Sequence, residues 1–293
     1  MSLVQITEPH SKSQKARHTV SSTGEIAHTP DNGTLIQVDH RLTSSTHFDL
    51  SLFRPSRGIM QQVERAILSF GMIKPHDKIA VAFSGGKDSL LLISVFQQLS
   101  RRQDLDFTFE VIHLDQHQPG FARQSFDHLL EQIHTPCHII SKDTWSVVKS
   151  KRKAGQIPCA ICGRLRRGIL NRWCADHGFN KLALGHHLDD ALETFMLNLL
   201  FGRRLDPLKP VTPTSDLQVD CIRPLLFVNE NKIKAWLQQT QLQAIACPVC
   251  DTFPDSKRRD IKHILQSLSH SQEELYDSVR DAIYGKSSPL FRS

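Results

Sequence analysis

The sequence predicts an α/β fold, a doubly wound parallel sheet with helical additions at both ends. Short apolar runs typical of buried strands alternate with helical segments through most of the chain. Polar or glycine-rich loops follow several of these strands, and ligands of such sheets bind beyond the carboxyl ends of the strands. The chain has 293 residues, 39% of them hydrophobic, which is enough for a sizeable core.

The two ends of the chain differ from its centre. Residues 1–47 are rich in Ser, Thr and His with little periodicity, so we predict a disordered extension. Residues 48–270 form the predicted main domain, and residues 271–293 a C-terminal helix and tail. The first predicted helix covers residues 55–70, with its apolar residues on one face and Gly71 placed to end it.

The central feature is a strand, a loop and a helix in direct succession. Residues 78–83 are apolar enough for a buried strand, and residues 90–96 favour a buried helix. The glycines between them let the backbone approach a ligand, and N–H groups at a helix start attract anions. The predicted phosphate-binding residues are Ser84, Gly85, Gly86, Lys87, Asp88 and Ser89. The alternative is a plain Gly-Gly turn.

The remaining elements follow in order. Further strands are predicted at residues 107–114, 137–140, 181–185 and 221–225, and helices at 123–133, 163–177, after 190 through Leu200, and 229–239. Residues 202–219 contain three prolines and are predicted as an irregular loop. Residues 115–121 and 186–190 leave the carboxyl ends of strands, so a nucleotide site is expected where they meet the glycine loop.

Acidic residues at this edge suit a metal. Asp88, Asp189 and Asp190 could hold Mg²⁺, a hard cation that prefers oxygen ligands, against a polyphosphate. Asp189 and Asp190 could equally cap a helix and interact with its dipole. His186 is either a phosphate donor or a buried, hydrogen-bonded histidine of the core.

The seven cysteines fall into two groups. Cys137, Cys174 and Cys221 lie in regular elements and are expected to be buried apolar residues. The other four form two Cys-x-x-Cys pairs, 159/162 and 247/250. Thiolates in this pattern suit structural zinc, an iron–sulfur cluster or a redox dithiol, and spacing leaves all three open.

Charge and hydropathy indicate the partners and the compartment. The net charge is +6 and the pI about 9.0, which favours a polyanionic partner. Basic residues cluster at 164–172, 203–209 and 257–262, near the candidate chemistry, and this favours nucleic acid. The sequence has no run long enough for a membrane span and no secretory signal core, so we expect a cytoplasmic protein without a membrane partner.

The pattern resembles a known family. Residues 84–89 resemble the PP-loop of N-type ATP pyrophosphatases, which cleave ATP between the α- and β-phosphates. Residues 114–121, 159–170, 184–190 and 247–250 resemble those of the tRNA 2-thiocytidine synthetase family. The resemblance covers roughly residues 55–270 and identifies the main domain as a PP-loop thiolase domain.

The resemblance implies ATP-dependent thiolation of cytidine 32 in tRNA. ATP would adenylate the C2 oxygen with release of pyrophosphate, and sulfur would then displace AMP. The implied cofactors and ligands are ATP, Mg²⁺ and a 4Fe–4S cluster held by Cys159, Cys162 and Cys247, with Cys250 as a spare. The implied catalytic residues are Asp189, Lys87, Asp88 and Arg166, and the implied nucleotide site contains residues 84–89 with Leu114, Asp115, Gly185 and His186.

The resemblance also implies partners, and it leaves rivals. A cysteine desulfurase or another donor would supply sulfur, and a homodimer is compatible with the family. The segment Gly202–Pro210 departs from the family pattern. The rivals are a 2-thiouridine or lysidine synthetase, and a catalytically inactive, zinc-stabilised nucleotide- or RNA-binding protein. Lysidine formation needs no thiol cluster, and Lys87, Asp88 and Asp189 argue against an inactive protein.

Overall fold

The computed structural model describes residues 50, 53–133, 135–152, 158–214, 216–240, 242–249, 256–271, 274–285, 288 and 290. Within these residues, six strands form one sheet in the order β3-β2-β1-β4-β6-β5. The strands are β1 Asp77–Phe83, β2 Phe107–Asp115, β3 Cys137–Ser141, β4 Lys181–Ala183, β5 Val211–Thr214 and β6 Val219–Ile222. All neighbouring pairs are parallel except β5 with β6.

Helices pack around the sheet, and further helices precede its first strand and follow its last strand. They are α1 Arg57–Phe70, α2 Lys87–Leu99, α3 Arg123–Glu131, α4 Trp145–Lys151, α5 Cys159–Asp176, α6 Leu188–Leu200, α7 Glu230–Gln239, α8 Ser256–Ser271 and α9 Leu275–Tyr284. The predicted α/β class with helical additions is confirmed. No helix among the described residues is long and apolar enough to cross a membrane.

Alternation along β1 produces two cores. Ile79 and Val81 point into a large core with α2, whereas Ala80 points into a smaller one with Leu170 and Cys174 of α5. Because successive strand residues face opposite sides, a strand covered by helices on both faces must be apolar throughout. Cys137, Cys174 and Cys221 are buried as predicted.

Several boundaries differ from the prediction, and three of these differences change the fold or the site. The supposed irregular loop at 202–219 contains β5, which tolerates Pro213 because an edge strand can leave one N–H position unused. The last strand is β6 at Val219–Ile222 rather than residues 221–225. Helix α5 begins at Cys159 rather than residue 163, so its first turn carries Cys159 and Cys162 on one face. The predicted extension at 1–47 and Cys250 lie outside the described residues.

Candidate active site

The loop after β1 is held open by two serine hydroxyls. Ser84 N–H donates to Ser89 Oγ at 3.2 Å, and Gly86 N–H donates to Ser84 Oγ at 3.3 Å. Ser89 Oγ in turn donates to Gly86 O at 2.8 Å. These contacts fix the loop before any ligand arrives. Helix α2 then begins without a side-chain cap, so its first N–H groups form a ready anion site.

A distant segment lies over this loop. Ile245 N–H donates to Gly85 O at 2.9 Å. Gly85 has φ +81°, and a Cβ there would stand 3.1 Å from Ile245 Cδ1. Glycine is therefore required both by the left-handed backbone and by the close approach of residue 245. Cys247 follows two residues later, so the second thiol segment is joined to the phosphate loop by a backbone hydrogen bond.

Both regions line one cavity of about 460 Å³ at the carboxyl edge of the sheet. This size is typical of a small-ligand site. Of the residues predicted from sequence, those that line it are Ser84, Gly86, Asp88, Ser89, Leu114, Asp115, Cys159, Arg166, Gly185, His186, Asp190 and Cys247. Gly85, Lys87, Cys162 and Asp189 are not among its lining residues.

A histidine joins the acidic residues beside the cavity. His187 Nε2 lies 3.7 Å from Asp88 and 3.5 Å from Asp190, and His187 Nδ1 lies 3.5 Å from Asp189. Burial disfavours the charged imidazole, but these three carboxylates outweigh it and raise the pKa of His187. His187 and Asp190 also form a reciprocal cap at the start of α6. Asp88 and Asp190 thus face the cavity from two elements.

Asp189 is oriented differently from its neighbour. Its Oδ2 accepts the backbone N–H of Glu230 at 2.7 Å, which ties the start of α6 to the start of α7. The residue is buried, and Tyr276 of α9 donates to it. Its predicted role as the essential carboxylate stays a prediction, and the structure adds a bracing role that sequence did not indicate.

Lys87 also turns toward α7. Its Nζ lies 3.0 Å from Asp88 and 3.2 Å from Glu230, whose other oxygen accepts from Lys234 at 3.1 Å and from Lys262 at 2.8 Å. Burial disfavours the ionised carboxyl, but the three ammonium groups outweigh it and lower the pKa of Glu230 to about 2. Burial also opposes the ammonium of Lys87, whose pKa its two carboxylate partners nevertheless raise. Helix α8 therefore reaches the phosphate loop through Glu230.

Gly185 permits contact between two loops. A Cβ on Gly185 would stand 3.2 Å from the carbonyl carbon of Asp88 and 3.3 Å from Ser89 N, so only glycine lets β4 end this close to α2. His186 beside it is largely enclosed, and burial lowers its pKa to about 3. Its buried Nδ1 has no hydrogen-bond partner among the described residues.

The loop after β2 closes another side. Asp115 accepts from the guanidinium of Arg123 and from His117 N–H, the latter at 3.0 Å. His113 Nδ1 donates to Phe83 O at 2.9 Å, which leaves Nε2 as a buried acceptor with no described partner. Burial lowers the pKa of His113 to about 4, so it is neutral at physiological pH. The sequence does not single out His113, because the pattern of β2 marks this residue only as part of a strand.

The thiols gather around one glutamine. Gln118 Nε2 donates to Cys162 Sγ at 3.3 Å, and Cys247 Sγ lies 4.0 Å from Gln118 Oε1. Cys162 is buried, which raises its pKa against the opposing charge of Arg166 one turn later. Cys247 is exposed and Cys159 partly so. The structure thus brings together Cys159, Cys162 and Cys247 near the phosphate loop.

No three His, Cys, Asp or Glu side chains among the described residues are arranged around a point where one metal ion could sit. A cluster differs from a single ion in this respect, because each thiolate binds its own iron and the sulfurs stand farther apart. Mg²⁺ likewise needs only one or two carboxylates when phosphate oxygens and water complete its shell.

Several known proteins are similar in sequence to this chain. The PP-loop domain family model matches residues 59–247. The tRNA-cytidine(32) 2-sulfurtransferase of Chromohalobacter salexigens is 37% identical over 244 residues, which cover 83% of this chain and 85% of that protein. The enzyme of the same name from Xanthomonas oryzae pv. oryzae is 37% identical over 230 residues, 78% and 75% of the two chains.

A solved structure is also similar. The U34-tRNA thiolase NcsA from Methanococcus maripaludis, with its 4Fe–4S cluster, superposes with a TM-score of 0.60 at 21% identity. The match covers 75% of this chain and 76% of that one. At this identity the likeness concerns the fold.

Proposed function

The chain belongs to the PP-loop domain family and, within it, groups with the tRNA-cytidine(32) 2-sulfurtransferases, and from this membership we propose that it thiolates cytidine 32 of tRNA with ATP. The reaction has two steps, and both act on C2 of the base and the oxygen bonded to it. The C2 oxygen of the base attacks the α-phosphate of ATP and pyrophosphate leaves. A sulfur nucleophile then attacks C2, and the adenylated oxygen leaves as AMP.

One observation carries the proposal. Ser84 and Gly86 of the phosphate loop line the same cavity as Cys159 and Cys247. Activation and sulfur transfer act on one carbon, so the nucleotide and the thiols must reach the base from within a single site. A nucleotide-binding protein with a remote structural thiol site would have no need of this arrangement.

The ATP side follows from charge and hydrogen bonding. The uncapped start of α2 and the hydroxyls of Ser84 and Ser89 would bind phosphate oxygens. Arg166 and Arg167 also line the cavity, and their guanidinium groups would balance charge that develops on the α-phosphate. We assign Leu114 and Asp115 to the adenosine.

Carboxylates in the cavity fit Mg²⁺. Asp88 and Asp190 line the cavity from separate elements, and carboxylate oxygen is the donor that this ion prefers. The ion would neutralise phosphate charge and orient the leaving pyrophosphate. We keep Asp189 as an essential carboxylate of the proposal, with its contact to Glu230 N–H as the way in which it holds α6 and α7 together.

The thiols fit a 4Fe–4S cluster. Cys159, Cys162 and Cys247 come from α5 and from the segment over the phosphate loop, and soft thiolates are the usual cluster ligands. Three protein thiolates leave one iron free for a sulfur ligand, and this is the chemistry the cluster supplies when bound. Arg166 on the same helix lies where it can stabilise anionic sulfur near the base.

The proposal also names the partners. Basic residues 203–204 and 257–259 are mostly exposed and would contact tRNA phosphates. A cysteine desulfurase or another donor would supply the sulfur, and the working form would be a cytoplasmic protein able to form a homodimer. Thiols stay reduced in the cytoplasm, and the proposed tRNA substrate would be in the same compartment.

Nucleoside mass spectrometry of tRNA tests the function. Cells that lack this protein should lose 2-thiocytidine, and wild-type protein should restore it, whereas Cys162→Ser should not. Cys221→Ser is the matched control, because its buried thiol bonds Asn171 on the smaller core and lies outside the cavity. Unchanged 2-thiocytidine in the deletion strain would refute the proposal.

A further inference from the structure

Gln118 is the side chain that both thiol segments share. Its Nε2 donates to Cys162 Sγ at 3.3 Å, and its Oε1 lies 4.0 Å from Cys247 Sγ. Cys162 belongs to α5, whereas Cys247 belongs to the segment that is hydrogen-bonded to the phosphate loop. Gln118 also lines the cavity, so its amide lies next to both thiols and to the space that a ligand would occupy.

The backbone around Gln118 is fixed on both sides. Phe121 N–H donates to Gln118 O at 3.4 Å, and His117 Nε2 lies 2.7 Å from Ser141 Oγ on β3. Gly120 has φ +75°, and a Cβ there would meet Pro248 Cβ at 3.5 Å, so this loop touches the segment that carries Cys247. A side chain mounted on such a loop has a defined direction, which a positioning role requires.

Gln116 offers a comparison in the same loop. Its Oε1 lies 3.2 Å from Cys162 Sγ and accepts from the thiol. A thiolate has no proton to give, so this acceptor contributes nothing favourable once Cys162 is ionised. The N–H of Gln118, in contrast, becomes a charge-assisted donor at that moment. Gln118 can therefore stabilise an ionised Cys162 sulfur, whereas Gln116 cannot.

We propose that Gln118 is a positioning residue of the cluster site: its Nε2–H orients Cys162 toward the cluster and stabilises the added electron of the reduced cluster. This inference rests on the proposed function, because it requires that the three thiolates hold iron. Hydrogen bonds to ligand sulfur raise a cluster's reduction potential by withdrawing electron density.

The test compares Gln118→Met with Gln116→Met in the full chain. Both variants keep side-chain length and remove the amide. After anaerobic reconstitution, we measure iron and sulfide per chain and the midpoint potential by redox titration followed by electron paramagnetic resonance. We expect Gln118→Met to hold less iron and to show a more negative potential, while Gln116→Met stays close to wild type.

Each possible result either supports or overturns the proposed role of Gln118. Wild-type iron content and potential in Gln118→Met, or equal shifts in both variants, would overturn the inference. If Gln118→Met loads no iron yet melts at the wild-type temperature while Gln116→Met loads fully, the orienting role is supported. Gln118→Glu, which is isosteric but lacks the N–H donor, should also shift the potential negatively. Wild-type protein that reconstitutes no cluster would instead refute the cofactor of the proposed function.

Discussion

Gly85→Ala tests the contact between the phosphate loop and residue 245. Gly85 has φ +81°, a region in which a side chain costs about 1–2 kcal/mol. Its new Cβ would stand 3.1 Å from Ile245 Cδ1 and 3.2 Å from Ile245 Cβ, so the segment must move by a few tenths of an ångström. We expect the free energy of unfolding to fall by about 1–2 kcal/mol, or roughly 2–8 °C in melting temperature.

The same substitution should weaken ATP binding. If the shifted loop loses one N–H bond to a phosphate oxygen, the cost is about 1.5–3 kcal/mol, or about 10- to 150-fold in Kd. Equilibrium binding of ATP measures this without tRNA or a cluster, and thermal melting measures stability on the same samples.

Two glycines provide matched controls. Gly178 has φ +75° but nothing within 4 Å of its added Cβ, so Gly178→Ala should lose stability and keep ATP affinity. Gly168 is exposed within α5 and also has open space, so Gly168→Ala should gain about 0.5–1 kcal/mol. The reasoning is refuted if Gly85→Ala binds ATP as tightly as Gly178→Ala does, or if it is as stable as Gly168→Ala.

Two further predictions concern the acidic cluster. The raised folded-state pKa of His187 means that its stabilising charge is complete below about pH 6.5 and is lost as pH rises through that pKa. Melting temperatures measured from pH 6.5 upward should therefore fall more steeply for wild type than for His187→Gln, and parallel curves would contradict this. Asp190→Asn should raise the Mg²⁺ concentration needed for half-maximal thiolation. Asp189→Asn should instead lower both thiolation and the melting temperature at an unchanged Mg²⁺ requirement, by removing the charge that accepts Glu230 N–H. The reverse pattern would transfer the metal role to Asp189.

Local pattern was enough to predict the sheet and the phosphate loop. The strand before Ser84, the two glycines and the following helix all lie within residues 77–99, so neighbouring residues fix their geometry. The Cys-x-x-Cys motif formed by Cys159 and Cys162 was equally evident from the sequence. Strand β5 was missed because Val211–Thr214 is short and contains Pro213, and its pairing with β6 is a tertiary event.

The remaining site features depend on contacts between distant segments. Nothing near Lys87 in the sequence indicates that it will form an ion pair with Glu230. Likewise, nothing near Gly85 indicates that its carbonyl oxygen will accept a hydrogen bond from Ile245 N–H. Gln118 was visible within a family-like motif, yet only folding reveals that it lies between Cys162 and Cys247. Such partners are chosen by the packing of whole helices against the sheet, which periodicity does not encode.

The edge strand β5 also bears on how copies of the chain can assemble. An exposed sheet edge is a template for a further strand when its N–H and C=O groups alternate without interruption. Pro213 sits in the middle of β5, opposite Asp220 of β6, and has no N–H to offer an incoming chain. Strand addition from a neighbouring molecule is therefore disfavoured at this border, which leaves β3 as the other edge of the sheet.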